Sequence, residues 1–376
     1  MISMLASFAS VMTTIGYIAL AVLVLLLMIT IHELGHYLFG KWLGFKIEEF
    51  SIGFGKAIFK KTLKSGEVFS IRIIPLGGYC AFAGEDEDDP DPNAFNNKKP
   101  WKRLIVQFGG VFFNFISAII FAFILLLCFG YDIQKVSSVD ADFQTNIQQN
   151  DIIREIDGIK VDFITDNTAN NLINQHYNNM SDAEKANYTL VTVDDVEYKC
   201  YNNLELTVQR DGEYQEIVAN LYTYVEIDKE GNESTKLVLG LTTTPYQHTF
   251  GEAIARCVPL AAAFAWKVLV FLWMLLTGGI GLADIGGPFT TISTIAEYSQ
   301  QNIANLFVFL PFIAANLAVF NILPLPSLDG SRMLFTTIEW IRGKPINRKI
   351  EGYIHFVGLI VLFALVLFVD IYHLFI

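Results

Sequence analysis

Four stretches of this chain are almost wholly apolar over the length a helix needs to cross a hydrocarbon layer. They cover residues 12–31, about 104–129, about 303–323 and about 353–371, and in the first the helical pattern continues to about Phe39. At about 1.5 Å per residue, roughly 20 such residues traverse a bilayer core. Residues 258–277 are also apolar but contain Lys267. Residues 131–250 behave differently: short alternating stretches suited to strands are separated by turn signals such as Asp157-Gly158 and Asp211-Gly212. Between 44 and 84, glycines punctuate strand-like runs such as Val68–Ile73, which predicts a β-hairpin or small sheet.

Composition agrees with a membrane protein. Apolar residues make up 53% of the 376, with 31 phenylalanines, and the mean hydropathy is +0.42. The net charge of −12 matters once it is mapped. Residues 41–103 carry eleven Lys/Arg, residues 131–256 carry nine Lys/Arg against twenty-two Asp/Glu, and 330–350 are basic again. Basic loops stay on the cytoplasmic side. The pattern therefore predicts an outside amino terminus, a cytoplasmic 41–103 loop, an extracytoplasmic acidic domain and a cytoplasmic 330–350 loop. Four crossings satisfy this order, so 258–277 is expected to lie along or dip into the outer leaflet. The acidic excess sits in one soluble segment, which argues against a nucleic-acid partner. The run Glu85–Asp91 reads as a solvated acidic loop. A cleaved signal peptide is not expected, because no Lys or Arg precedes Lys41 and the first apolar run is too long. Cys80, Cys128, Cys200 and Cys257 are scattered without a CxxC, predicting neither disulfides nor a cysteine metal site.

The chemistry lies at the end of the first span. His32-Glu33-Leu34-Gly35-His36 is an H-E-x-x-H. Histidines four apart share a helix face and can bind one metal ion, and the glutamate beside the first can take a proton from attacking water. A hydrolytic zinc site needs a third protein ligand and an open position. Asp329, in Asn321-Ile322-Leu323-Pro324-Leu325-Pro326-Ser327-Leu328-Asp329-Gly330, is the candidate, because two prolines break the third span where it reaches the depth of the histidines. The ligand types point to Zn²⁺, although other divalent metals accept the same set.

The HELGH in the first span and NILPLPSLDG in a late one resemble the site-2 protease family of intramembrane metalloproteases. Gly53-Phe54-Gly55, Pro75-Leu76-Gly77-Gly78-Tyr79, Gly110 with Asn114-Phe115, and Gly287-Pro288 are similar to the family's bacterial branch. The resemblance implies regulated intramembrane proteolysis, in which a single-span membrane protein is cut within the bilayer after trimming outside. Anti-sigma factors and signal-peptide remnants are the substrate classes it suggests. It also implies that Asn321 engages substrate backbone. The hairpin carrying Gly53, Gly55, Gly77 and Gly78 is read as a substrate-binding element whose edge strand pairs with an unwound substrate. Residues 131–245 resemble a PDZ domain, with Asn150–Val161 as strand, tight turn and strand. Two departures are the Gln148-Gln149-Asn150 turn, which lacks glycine, and an Asn/Asp-rich insertion at about 166–203; they leave two roles open, peptide binding or a size filter over the cleft.

The expected fold is thus a polytopic α-helical membrane protein of about four transmembrane helices, with a membrane-associated β-hairpin and one extracytoplasmic PDZ-like α+β domain. Its parts are residues 1–130, the PDZ-like domain 131–248 and a second membrane half 249–376. The expected location is the bacterial inner membrane, with Glu33 as catalytic base and His32, His36 and Asp329 on zinc near the cytoplasmic side. A catalytically silent PDZ scaffold is the alternative. A hydrolase acting on lipid is a third reading, disfavoured because hairpin and PDZ-like segment both handle polypeptide. Nothing in the sequence specifies an oligomeric state.

Overall fold

The computed structural model describes residues 2–85, 87, 89–163, 165–227, 233–281 and 286–373. Two members of the acidic run Glu85–Asp91, residues 86 and 88, lie outside them. The chain divides into two compact units, Met1–Ala122 with Phe264–Ile376, and Phe123–Ala263.

In the first unit, helix α1 (Ile2–Trp42) carries the whole first apolar run and the HELGH motif without a break. It ends where Gly44 takes φ +73°, a backbone position open to glycine at little cost. Strands β1 (Ile47–Thr62) and β2 (Val68–Phe82) form a long antiparallel hairpin, the two-stranded sheet expected from the glycine-punctuated segment. Its register shifts repeatedly, and Gly53 sits in a bulge at φ +86° where a Cβ would lie 2.7 Å from the Ile74 carbonyl. Helix α2 (Pro100–Cys128) opens on proline, whose missing N–H is no loss in a first turn. It crosses α1 backbone to backbone: a Cβ on Gly35 would stand 2.2 Å from the Gly109 carbonyl oxygen.

The later elements of this unit are α6 (Pro288–Gln301), α7 (Ala304–Ile322), α8 (Asp329–Arg342) and α9 (Arg348–His373). Helix α7 is central, with 44% of its apolar window buried, whereas α9 buries 11% and turns Phe356, Ile360 and Phe363 outward. In water such a face would be a liability; in lipid it is matched to its solvent. The carboxylate of Asp370, late in α9, accepts from the N–H groups of Phe289 and Thr290 and so caps α6.

The sequence reading assigned four spans and set 258–277 aside. Among the described residues five helices are long and apolar enough to cross a membrane, the added one being α5 (Phe250–Thr277), a single continuous 28-residue helix. Neither Lys267 nor Pro259 ends it. A segment that dips in and returns needs a turn within it, and α5 has none.

The second unit is built on an antiparallel sheet. Its strands are β3 (Gln134–Val139), β4 (Ile152–Ile156), β5 (Ile159–Lys160), β6 (Thr189–Val193), β7 (Val196–Arg210), β8 (Glu213–Ile227), β9 (Glu233–Val238) and β10 (Leu241–Pro245). The main order is β10-β3-β4-β7-β8-β9, with β5 on β4 and β6 on β7. Both Asp-Gly signals form tight hairpins with positive φ at each central residue, Asp157-Gly158 between β4 and β5 and Asp211-Gly212 between β7 and β8. A third such turn, Asp194-Asp195, joins β6 to β7 and carries no glycine. Ile153, Ile156, Leu204, Leu206 and Leu221 fill the core, closed by Leu172 and Ile173 of helix α3 (Ala169–Asn179), which the short helix α4 (Asp182–Ala186) follows. The 166–203 segment thus contributes core residues and structure of its own.

Candidate metal centre

The site is assembled from α1, α2, α8 and β2, all in the first unit. His32 and His36 project from one face of α1, and Asp329 is the first residue of α8. The turn before α8 is forced by Pro324 and Pro326, which cannot donate to a helix. Asp329 Oδ2 lies 2.9 Å from His32 Nε2 and 3.2 Å from His36 Nε2, and the two histidine nitrogens are 3.2 Å apart. Both histidines are buried.

This arrangement fits a metal ion better than it fits a hydrogen-bonded cluster. Asp329 Oδ2 is buried yet has no well-formed hydrogen bond, and each imidazole faces the other with the same nitrogen. Ligands about 2.0–2.1 Å from a tetrahedral zinc stand about 3.3 Å apart, close to the three separations here. The far ring nitrogens are committed to other partners. His36 Nδ1 donates to the Val106 carbonyl at 2.8 Å, which leaves Nε2 as the coordinating atom. His32 Nδ1 lies 3.0 Å from the side-chain amide of Asn114, whose oxygen is buried without a partner. A half-turn of that amide brings the oxygen to Nδ1–H, the pairing required when Nε2 holds a metal.

Helix α2 therefore supports all three ligands. A Cβ on Gly110 would come within 2.4 Å of His32 Cε1 and 2.5 Å of His36 Nε2. Gln107 Nε2 donates to Thr336 of α8 at 3.1 Å, and Arg103 pairs with Glu339 at 2.6 Å with little exposure of the arginine, docking the helix that begins with Asp329.

Glu33 faces the hairpin. The Cys80 amide hydrogen-bonds its carboxylate, and a Cβ on Gly78 would lie 3.7 Å from Glu33 Cγ. Burial raises the Cys80 thiol, with the Glu33 carboxylate adding to the effect, so this sulfur stays protonated rather than offering a thiolate ligand. A cavity of about 810 Å³ opens on Glu33, His36 and Asp329, and Tyr79, Cys80 and Ala81 of β2 form one wall. Residues 49–52 of β1 pair with 78–81 on one side and 68–71 on the other, so among the described residues the far edge of 78–81 pairs with no strand along this wall.

The structure thus gathers Glu33, His32, His36 and Asp329 in one place. Of the hairpin glycines, Gly78 alone is beside Glu33; Gly53, Gly55 and Gly77 pack within the bulged hairpin against Arg72, Ile74 and Phe54. Asn321 is the last residue but one of α7 and, among the described residues, makes no hydrogen bond to the triad. Sequence reasoning noted Gly110 and Asn114 without giving them a task. It missed the Val106 carbonyl, Gln107 and Arg103; for the last two the available signal was polar residues within an apolar helix.

Comparison with known proteins agrees with this geometry. The model of peptidase family M50 matches residues 20–365. A Clostridium perfringens relative is 30% identical over 94% of this chain and 97% of its own length, and one from Fusobacterium nucleatum is 29% identical over 94% and 96%. A third, from Campylobacter jejuni, is 26% identical over 92% and 90%, and all three bear the name "Putative zinc metalloprotease". With the HExxH helix, the aspartate and the match along nearly the whole chain, this protein belongs to peptidase family M50, the site-2 protease family.

Proposed function

We propose that this protein hydrolyses peptide bonds within transmembrane segments of single-span membrane proteins, with His32, His36 and Asp329 holding zinc and Glu33 acting as general base. As a family member the chain is a multi-pass membrane zinc metalloprotease. The observation that carries the finer reading is the meeting of two histidines and an aspartate at 2.9–3.2 Å beside Glu33, on helices long and apolar enough to span a bilayer. Zinc, when bound, supplies a Lewis acid that polarises the scissile carbonyl and acidifies water. Glu33 takes a proton from the attacking water and returns it to the departing amide nitrogen. The cavity beside β2 admits that water, and the unpaired β2 edge offers an unwound substrate the backbone partners its helix has lost.

The topology reading places the acidic domain outside and the site near the cytoplasmic face of a bacterial inner membrane. Helix α5 is read as lying along the outer leaflet, since four crossings already satisfy the charge pattern of the loops. The second unit is read as a PDZ-like filter, Asn321 and the hairpin glycines as substrate contacts, and anti-sigma factors or signal-peptide remnants as substrates. The test of the central reading is cleavage of a single-span reporter in liposomes by wild type and Glu33→Gln, with bound zinc assayed in both. Loss of cleavage with retained zinc supports it; equal cleavage, or no zinc in either, defeats it.

A further inference from the structure

Ser327, two residues before Asp329, has φ +74°, a conformation that residues other than glycine seldom adopt. Such a residue persists when its surroundings hold it there. Its own loop engages the hydroxyl, which donates to the adjacent Pro326 carbonyl, but not the N–H. Pro324 and Pro326 have no amide protons, and the amides of Leu325 and Leu328 are spent on local turns to Leu323 and Leu325. The N–H of Ser327 instead donates to Nδ1 of His355 on α9, at 3.0 Å. The hydroxyl of Ser331, in the first turn of α8, is 3.4 Å from the same nitrogen. One turn further along α9, Gly358 makes room for Pro326; a Cβ there would lie 2.1 Å from that proline's Cβ.

We propose that His355 is a positioning residue for Asp329. Its imidazole accepts the Ser327 N–H and fixes the left-handed turn that delivers the Asp329 carboxylate to His32 and His36. This rests on the reading of Asp329 as a zinc ligand. A nitrogen that accepts an amide proton carries none, so the ring bears its proton on Nε2, which faces Glu351 Oε1 at 3.8 Å. Helix α9 supplies no ligand to the triad, yet it grips the ligand-bearing loop at two points, His355 on Ser327 and Gly358 on Pro326. Its task is to keep an aspartate at the end of a proline-broken turn from swinging away. Groups that orient ligands from outside the coordination sphere are typically worth about 10–100-fold in metal affinity or activity.

The test compares full-length wild type with His355→Phe, His355→Gln, Gly358→Ala and Asp329→Asn in detergent. Zinc release to a chromophoric chelator is followed, together with kcat and KM on a single-span reporter. His355→Phe is expected to release zinc about 10–100-fold faster and to lower kcat, with KM unchanged. His355→Gln, whose side-chain oxygen can accept the same N–H, recovers most of the retention. Gly358→Ala, pressing on Pro326 without touching His355, speeds release as well, so the inference stands even if His355→Phe fails to accumulate. Wild-type zinc release from both His355→Phe and Gly358→Ala, with release accelerated in Asp329→Asn, overturns the positioning role and leaves the ligand reading intact. Equal losses in His355→Phe and His355→Gln overturn it too, since packing alone then explains both. Wild-type retention by Asp329→Asn overturns the ligand reading and this inference with it.

Discussion

Gly110→Ala is the sharpest mutational probe of the centre, because a single methyl group meets both histidines. The new Cβ would stand 2.4 Å from His32 Cε1, 2.7 Å from His32 Nδ1 and 2.5 Å from His36 Nε2, against the 3.4 Å at which ordinary contact begins. Relief requires about 1 Å of movement by the imidazoles or by α2. The backbone of α2 is pinned where Gly109 meets Gly35, so the rings yield first. Zinc ligands tolerate roughly 0.2 Å, and misplacing a catalytic group by about 1 Å costs on the order of 10²-fold in rate. The expected result is a protein with wild-type helicity by circular dichroism, little bound zinc and activity down about 100-fold. The overpacking itself should cost about 1–3 kcal/mol, too little to erase the fold. Gly16→Ala is the control: it meets nothing within 4 Å and should leave zinc and turnover unchanged. Normal zinc content and turnover in Gly110→Ala would refute the placement of α2 against the two histidines.

Three further outcomes are expected. Asn114→Leu removes the partner of His32 Nδ1 and should weaken zinc about 10–100-fold, read by chelator competition, whereas Asn114→Asp, which retains an acceptor oxygen, should keep most of it. Arg103→Met leaves Glu339 unpaired and should destabilise the protein by about 3 kcal/mol in a detergent melt, with Arg103→Met/Glu339→Met recovering part of the loss. Burial alone would raise the Glu67 carboxyl, but hydrogen bonds from Lys41 at 2.6 Å, Ser65 and Tyr37 outweigh it and hold the group at about 2. A depressed carboxyl contributes stability above its unfolded value near 4.5 that is lost as pH falls toward 2, so pepsin should clip the hairpin faster across that window, and Glu67→Gln should flatten the dependence.

The reactive residues were legible because each announces itself locally. Two histidines at helical spacing with a glutamate between them need no tertiary knowledge, and Asp329 stood out through the prolines before it. The supporting shell was not legible, since its contacts depend on which helices cross and at what height. The Val106 carbonyl has no side-chain signature, and Gly110 reads as an ordinary membrane glycine until α1 is laid against it. The same holds in the second unit: the Asp-Gly turns could be foreseen, but Asp194-Asp195 adopts the same conformation without the glycine that signals it. For α5, the sequence left open whether the segment lies along the leaflet or dips into it; helix continuity is governed by the absence of breakers, and one proline early in the segment did not break it.

The distance along the chain between His36 and Asp329 has a consequence for the order of synthesis. The histidines belong to α1, and their partner follows roughly 290 residues later, after the whole second unit. Contacts so remote in sequence form late. Through that interval the emerging polypeptide carries two of the three proposed ligands and is expected to be inactive. On the proposed mechanism activity arrives only once α8 has docked on α2 and delivered Asp329, so a chain cut short before that point is expected to spare its neighbours.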